Sequence, residues 1–376
     1  MRVLFSSTSG HGHVIPMLQL ASAVRARGHD VLWATAAQAA PLVTAAGIAT
    51  VAAGANGAEE AALRAGVRDR ASLLAGRDRA AWVFPRMFGA ALTPPMAEDL
   101  TAIAQAWRPD LLVHEQAELA APLVAAIIDR PSITHAFGSA VPVSILEESS
   151  ERLASLWRDH GLDVPPYAGC FRSGYLDICP PSLRATATDH IAGVQALRPV
   201  TVARSTVSGP EPLVYVTLGT VQNRSDLLRE IVTGVSVLPV AVLVASGPGV
   251  DPASLGMQPA HVQVESWVDQ TEVLGRCSAV VSHGGSGTFL GALARGLPQL
   301  CLPQAADQFR NAEAGLRTGA ALTLGPDEIT SRAVRAAVER LLAEPGLRAG
   351  AGRLAAEIAG MPSPAEVVQV LEARFS

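Results

Sequence analysis

A chain of 376 residues, 49% apolar and 17% charged, with a formal charge of -5, holds enough apolar material for about two domains. It lacks the basic stripe that a nucleic-acid binder needs, so no nucleic-acid partner is expected. Its four cysteines, Cys170, Cys179, Cys277 and Cys301, have no CxxC spacing, which argues against a disulfide framework or a zinc site and fits reduced thiols in a cytoplasm.

The predicted elements begin with Val3-Leu4-Phe5, a short apolar run typical of a buried parallel strand, with no charged segment and long apolar stretch of a signal peptide. Ser6 to His13 is the turn. Pro16 fits the first turn of a helix carrying Leu20, Ala23 and Val24 inward, Gly28 closes it, and His29 to Ala34 is the next strand. Pro109 to Val113 reads as a further strand ending at His114-Glu115, followed by a helix over Leu119 to Ile128 and a strand over Ser132 to His135. Residues from about 140 to 200 read as irregular, and Arg198 to Pro212, rich in proline, as an interdomain linker. The strand–helix rhythm restarts with Leu213 to Leu218, Gly219-Thr220 as a turn and Leu227 to Val237 as a helix; Val240 to Ala245, Ala279 to Ser282 and Gln299 to Leu302 are further strands. A last helix is expected over Ala365 to Arg374. No run approaches the roughly 18 apolar residues of a spanning helix, so a cytoplasmic protein without membrane insertion is expected. The fold class is α/β, two Rossmann-like sheets facing a cleft.

Candidate chemistry concentrates in a few turns. Ser282-His283-Gly284-Gly285-Ser286-Gly287-Thr288 sits between a strand and a helix, where helix-end amides and the helix dipole favour an anion. His283 can add a donor there; a turn that merely needs glycine is the alternative. No Lys follows the glycines, which excludes a P-loop. Trp267, sixteen positions before His283, can stack on a base or simply fill a core. Asp307 and Gln308 stand at a strand end, suited to sugar hydroxyls or to capping a helix. In Gly10-His11-Gly12-His13, His13 is a candidate general base, and Glu115 at the end of another strand can hold its imidazole.

Together these pieces resemble the GT-B-fold glycosyltransferases of family 1, especially actinobacterial enzymes that decorate antibiotics. The discriminating part is the series Trp267 to Gln270, His283 to Thr288, Ala292-Leu293, Gly296 to Gln299 and Ala306-Asp307-Gln308 with Asn311-Ala312. In the amino half the match runs through Gly12-His13-Val14-Ile15-Pro16 and His114-Glu115. The resemblance implies that Trp267, with Val268, covers the nucleobase. His283, the amides of Gly285, Ser286, Gly287 and Thr288, and the Gly219-Thr220 turn would hold the diphosphate, and Asp307 and Gln308 the donor sugar. His13 would take the acceptor proton as oxygen attacks the anomeric carbon opposite the leaving group, inverting its configuration. No Asp-x-Asp pair is present, so no metal and no cofactor beyond the nucleotide-sugar cosubstrate is expected.

Two positions depart from the family. Its His partner is usually Asp, where Glu115 stands here. Members using UDP donors often carry Glu eight residues after the phosphate-binding His; here that position is Gly291, which suits a dTDP-activated deoxysugar. The acceptor, a hydrophobic aglycone, is expected among residues 54 to 96, with Trp82, Phe84, Met87, Phe88 and Met96, and residues 138 to 176. The expected organisation is an acceptor-binding domain over 1–200, a linker over 201–212, a donor-binding domain over 213–360 and a helix over 361–376 returning to the first domain; a homodimer is left open. Alternatives are a same-fold sugar-nucleotide 2-epimerase and a non-catalytic helper of a partner transferase. A Rossmann dehydrogenase is disfavoured, since the first turn lacks GxGxxG.

Overall fold

A computed structural model of the protein describes residues 1–74, 76–199, 212–219 and 224–375. The chain divides into two compact units: Met1–Cys179 with Thr186–Arg198 and Pro362–Ser376, and Pro180–Ala185 with Pro199–Met361. Thr220 and residues 201–211 of the expected linker lie outside the described residues.

The first unit is built on β1 (Arg2–Ser6), β2 (Asp30–Thr35), β3 (Ala49–Ala52), β4 (Leu111–Glu115), β5 (Ser132–His135), β6 (Tyr175–Asp177) and β7 (Val194–Ala196). Its helices are α1 (His11–Ala26), α2 (Ala40–Ala45), α3 (Gly57–Arg70), α4 (Gly76–Phe84), α5 (Thr93–Trp107), α6 (Ala121–Ile127) and α7 (Val143–Asp159). The second unit holds β8 (Leu213–Thr217), β9 (Ala241–Ala245), β10 (Val262–Glu265), β11 (Ala279–Ser282), β12 (Gln299–Cys301) and β13 (Ala321–Thr323). With them are α8 (Ser225–Val235), α9 (Gln270–Leu274), α10 (Ser286–Ala294), α11 (Gln308–Arg317), α12 (Ser331–Ala343) and α13 (Pro345–Gly360). The last helix, α14 (Pro364–Phe375), belongs to the first unit, where Glu372 meets Arg27 at 2.7 Å and His29 at 2.8 Å.

Both sheets are parallel, ordered β3-β2-β1-β4-β5-β6-β7 and β10-β9-β8-β11-β12-β13. Strand order reverses at β1/β4 in one unit and at β8/β11 in the other, and the carboxyl ends of strands at such a reversal are where α/β sheets bind ligands. The central strands are covered on both faces, so they read as unbroken apolar runs: Val3, Leu4 and Phe5 are 0% exposed, as are Val280 and Val281.

Two local expectations are corrected. α1 begins at His11, so Pro16 lies in its second turn, where its missing N–H costs only the bond to the Gly12 carbonyl. Residues 140–200 are not irregular. They contain α7, whose inward residues Ile145, Leu146, Ser149, Leu153 and Trp157 fall at helical spacing, and the strands β6 and β7. Residues 54–96 are largely helical, and Pro85–Leu92 forms a π-helical turn between α4 and α5.

Candidate active site

In the first unit the reversal point holds His13 and Glu115. β1 pairs with β4 in the register Ser6↔His114, which puts the turn after Ser6 beside the end of β4. α1 starts there: the Gly10 carbonyl accepts from the amides of His13 (2.9 Å) and Val14 (3.1 Å). Gly10 is required by the ring it precedes, because a Cβ there would lie 2.7 Å from His13 Cδ2. His13 Nδ1 is 3.1 Å from Glu115 Oε1, with the histidine one-fifth exposed and the glutamate fully buried. Phe137 packs edge-on against the imidazole at 4.7 Å and Phe88 lies tilted at 5.5 Å.

Burial alone would push the Glu115 carboxyl up. The charge and hydrogen bond of His13, with the amides of Ala117 and Thr8, outweigh burial and hold it below the ordinary carboxylate range. Thr8 also donates from Oγ1 at 3.0 Å and Ala117 from its amide at 2.5 Å. Glu115 is thus a fixed anion that orients His13 and can stabilise its protonated form. Three residues on, Glu118 is opposite in character. It accepts from Ser6 Oγ (2.6 Å), Ala120 N (2.7 Å) and Ala121 N (3.2 Å), yet burial dominates and raises its carboxyl to about 7.

A pocket open to solvent lies between this turn and the π-helical segment. Of the five residues expected to line the acceptor site, Phe88 is one that lines this pocket. Phe84 lies tilted against Phe88 at 5.0 Å, Met87 is buried at 3% exposure, and Trp82 lies under the Arg86 guanidinium at 4.2 Å. The π-helical turn sets these directions. Met96, also expected, is in the wall. The pocket contains two acids, Glu60 and Glu118, that sequence reasoning missed. Glu60 looks like a solvated acid near the start of α3, and its burial is decided by contacts far along the chain.

In the second unit the reversal point holds Gly219 and His283. β8 pairs with β11 in the register Thr217↔Ser282, bringing the two following turns together. The His283 ring is sandwiched by glycines: a Cβ at Gly219 would lie 2.6 Å from its Cε1, and one at Gly285 2.4 Å from its Nε2. These glycines therefore make room for the imidazole as well as for any ligand. Burial lowers the His283 pKa against the opposing effects of Asp307 and the Thr217 backbone, so the ring is neutral at neutral pH. Gly285 caps α10 without a side-chain hydrogen bond, and the amides of the first turn remain an anion site.

The hydroxyls expected to face a ligand are engaged with protein instead. Ser286 Oγ donates to Asp307, and Thr288 Oγ1 donates to Gln270 Oε1 at 2.8 Å. That second bond ties the Trp267–Gln270 segment to α10, and Trp267 is 71% exposed, so it is not a core residue. Val268 packs partly against the core cluster containing Tyr215 and Leu243. Asp307 stands at the N-cap of α11 but makes no capping bond with its side chain. Both of its hydrogen bonds, from Ser286 and from Asn311 Nδ2 (3.1 Å), go to Oδ2. Ala306 beside it is held at a φ of 54°, a left-handed conformation rare for alanine. Gln308 Oε1 accepts from the amides of Gln304 (2.7 Å) and Ala305 (2.9 Å), closing the loop. Among the described residues no group of three or more His, Cys, Asp or Glu side chains could hold a metal, and no helix is long and apolar enough to cross a membrane.

Comparison with known proteins gives this geometry a family. The erythromycin biosynthesis protein CIII-like N-terminal domain matches residues 22–198, and the corresponding C-terminal domain residues 239–374. The chain is 33% identical to the L-demethylnoviosyl transferase of Streptomyces niveus, covering 99% of this chain and 98% of that protein. It is also 33% identical to the elloramycin glycosyltransferase ElmGT of Streptomyces olivaceus, covering 100% and 98%. Spinosyn rhamnosyltransferase SpnG, solved with thymidine diphosphate and with the spinosyn aglycone, superimposes with a TM-score of 0.79 at 26% identity, over 99% of this chain and 100% of that one. The chain belongs to the erythromycin biosynthesis protein CIII-like family and is a GT-B-fold glycosyltransferase of the actinobacterial natural-product type.

Proposed function

We propose that this enzyme is an inverting transferase that moves a deoxysugar from a dTDP-sugar to a hydroxyl of a hydrophobic natural-product aglycone, with His13 as general base. The observation that carries this reading is the 3.1 Å contact of partly exposed His13 with fully buried, ionised Glu115 at the end of β4. The acceptor hydroxyl loses its proton to His13 Nε2 as its oxygen bonds to the anomeric carbon. The bond from that carbon to the β-phosphate oxygen breaks, and dTDP leaves with the electron pair. Glu115 stabilises the imidazolium, which then returns its proton to solvent. The amides opening α10 and the His283 ring meet the diphosphate charge, Trp267 covers the base, and Asp307 and Gln308 hold the sugar.

Gly291 supports thymidine over uridine. It leaves no carboxylate for a ribose 2′-hydroxyl, and a Cβ there would already lie 3.1 Å from Leu274 Cδ1. SpnG, solved with thymidine diphosphate, is consistent with this choice. Isothermal titration is expected to show dTDP binding more tightly than UDP; UDP at least about tenfold tighter would overturn the donor assignment. The reaction is tested with a dTDP-deoxysugar labelled in the sugar, with and without a polyketide acceptor. A labelled glycoside of inverted anomeric configuration should form only when the acceptor is present. An epimerised sugar nucleotide in its absence would reassign the enzyme.

Gly285→Ala is expected to weaken dTDP binding at least about tenfold, because its Cβ drives the His283 ring out of its slot and crowds the amides opening α10. Unchanged dTDP affinity in that variant would remove His283 from the diphosphate site.

A further inference from the structure

The pocket beside His13 has a polar wall whose hydroxyl hydrogens are all spoken for. Four side-chain hydroxyls line it, from Ser7, Thr8, Ser9 and Thr93. Thr8 donates to Glu115 Oε1 (3.0 Å), Ser9 to Glu60 Oε1 (2.5 Å) and Thr93 to the Phe88 carbonyl (2.5 Å). None of those partners can donate in return, so the direction of each bond is forced. Ser7 Oγ accepts from Trp33 Nε1 (3.0 Å) and donates towards Thr35 Oγ1 (3.4 Å), whose own hydrogen goes to the Ser7 carbonyl (3.0 Å). The four oxygens therefore turn lone pairs, not hydrogens, to the cavity.

The acids reinforce this polarity. Glu60, 5% exposed, accepts from Ser9, from Gln38 Nε2 and from Arg64 Nε (2.6 Å). Arg64 and Gln38 are not part of the pocket wall, so the carboxylate is neutralised from outside it while one lone pair, on Oε2, stays unused. Glu118 accepts from Ser6 Oγ (2.6 Å) and from the Ala120 and Ala121 amides, none of which is in the wall. The rest of the lining is apolar, including Phe88, Leu92, Met96 and Leu119.

We propose that this pocket selects its occupant by hydrogen-bond polarity, taking a flat apolar ring system whose inserted edge carries hydroxyl donors, such as a polyphenol, and rejecting the same skeleton with carbonyls or ethers on that edge. A carbonyl or ether oxygen set against these side chains meets the lone pairs of the four hydroxyls and of Glu60 and gains no hydrogen bond from them for the water it loses, whereas a phenolic hydroxyl gains a charge-assisted bond to Glu60. The inference rests on the reading of this unit as the acceptor-binding part. Glu60 is the specificity-determining residue, and α3 contributes to acceptor choice through it.

Binding to the full-length protein without donor is measured by titration calorimetry for 2,7-dihydroxynaphthalene and 2,7-dimethoxynaphthalene. The diether is the more hydrophobic, so an indifferent apolar cavity prefers it. The expected result is the reverse, with the diol at least about tenfold tighter. Glu60→Gln, which puts an amide donor in the wall, and Thr93→Val, which removes a lone pair, should each erode that ratio, with thermal melts confirming that the variants fold. A wild-type ratio at or below one, no binding of either probe, or a ratio unchanged in both folded variants overturns the proposal. Adding the dTDP-deoxysugar used in the transfer assay separates this inference from the reading beneath it. A selective pocket whose diol is never glycosylated leaves the selectivity standing and rejects the acceptor assignment.

Discussion

Replacing His13 with alanine is expected to lower kcat by about a hundredfold or more, within the range of a general base, while dTDP affinity barely changes. The expectation follows from where the imidazole sits. His13 contacts Glu115 and two phenyl rings of its own unit, whereas the residues proposed for the diphosphate cluster around His283 in the other. Loss of the base removes a transition-state interaction, so kcat and kcat/KM should fall together. Glu115→Gln should give a smaller loss, because the amide can still orient the ring but no longer offsets its positive charge. Steady-state kinetics with calorimetric dTDP binding checks both. An equal loss of dTDP affinity in His13→Ala would place His13 at the phosphates and end its assignment as base.

The second large effect is acid destabilisation of the first unit. His114 and His135 are both fully buried, and burial lowers each to about 4 from an ordinary 6.5. His114 is satisfied as a neutral ring: Nδ1 donates to the Glu118 carbonyl (2.8 Å) and Nε2 accepts from Thr134 Oγ1 (3.1 Å). His135 Nδ1 donates to the Ala136 carbonyl at 2.5 Å. Below pH 6.5 the unfolded chain takes up protons at both sites while the folded chain refuses them until about 4, so their stabilisation is complete above 6.5 and lost as pH falls towards 4. Glu118 works against this. Its carboxyl, raised to about 7, protonates in the folded state first, so its stabilisation is complete below 4.5 and lost as pH rises through 7.

The balance between pH 6.5 and 4.5 is two protons favouring unfolding against one favouring folding. A net slope of about 1.4 kcal/mol per pH unit follows, or roughly 3 kcal/mol over that window. Below 4.5 the Glu118 contribution no longer changes, and Glu115, held below the ordinary carboxylate range, adds to the loss, so the slope steepens. Urea unfolding at a series of pH values measures it, with fluorescence dominated by the first unit, which holds Trp33, Trp82, Trp107 and Trp157. His135→Asn, which can keep the bond to Ala136, should flatten the slope; Glu118→Gln should roughly double it. Stability level from pH 6.5 to 4.5 in the wild type, or slopes unmoved by both variants, would show that these groups titrate alike in the two states.

The strands at both reversal points were legible because each is an apolar run, and β1, β8 and β11 end in turns that contain glycine. The glycine turn around His283 was legible because its residues sit close along the chain. α7 was missed although its inward positions show helical spacing, since Pro165-Pro166 and Pro180-Pro181 drew the whole segment towards an irregular reading. The acceptor wall was only partly legible. Trp82, Phe84, Met87 and Phe88 are adjacent and chemically alike, and only the π-helical turn decides that Phe88 reaches the pocket.

By itself, then, the order of residues determined what short-range physics controls: strand and helix type, the turns that carry His13 and His283, and the family signature. Tertiary structure alone decided which groups are buried and which way their hydrogens point. Ser9 meets Glu60 across 51 positions and Thr8 meets Glu115 across 107, and no local pattern records such a meeting. Protonation states and hydrogen-bond direction depend on dielectric surroundings and partners, and both are set only when distant segments pack together.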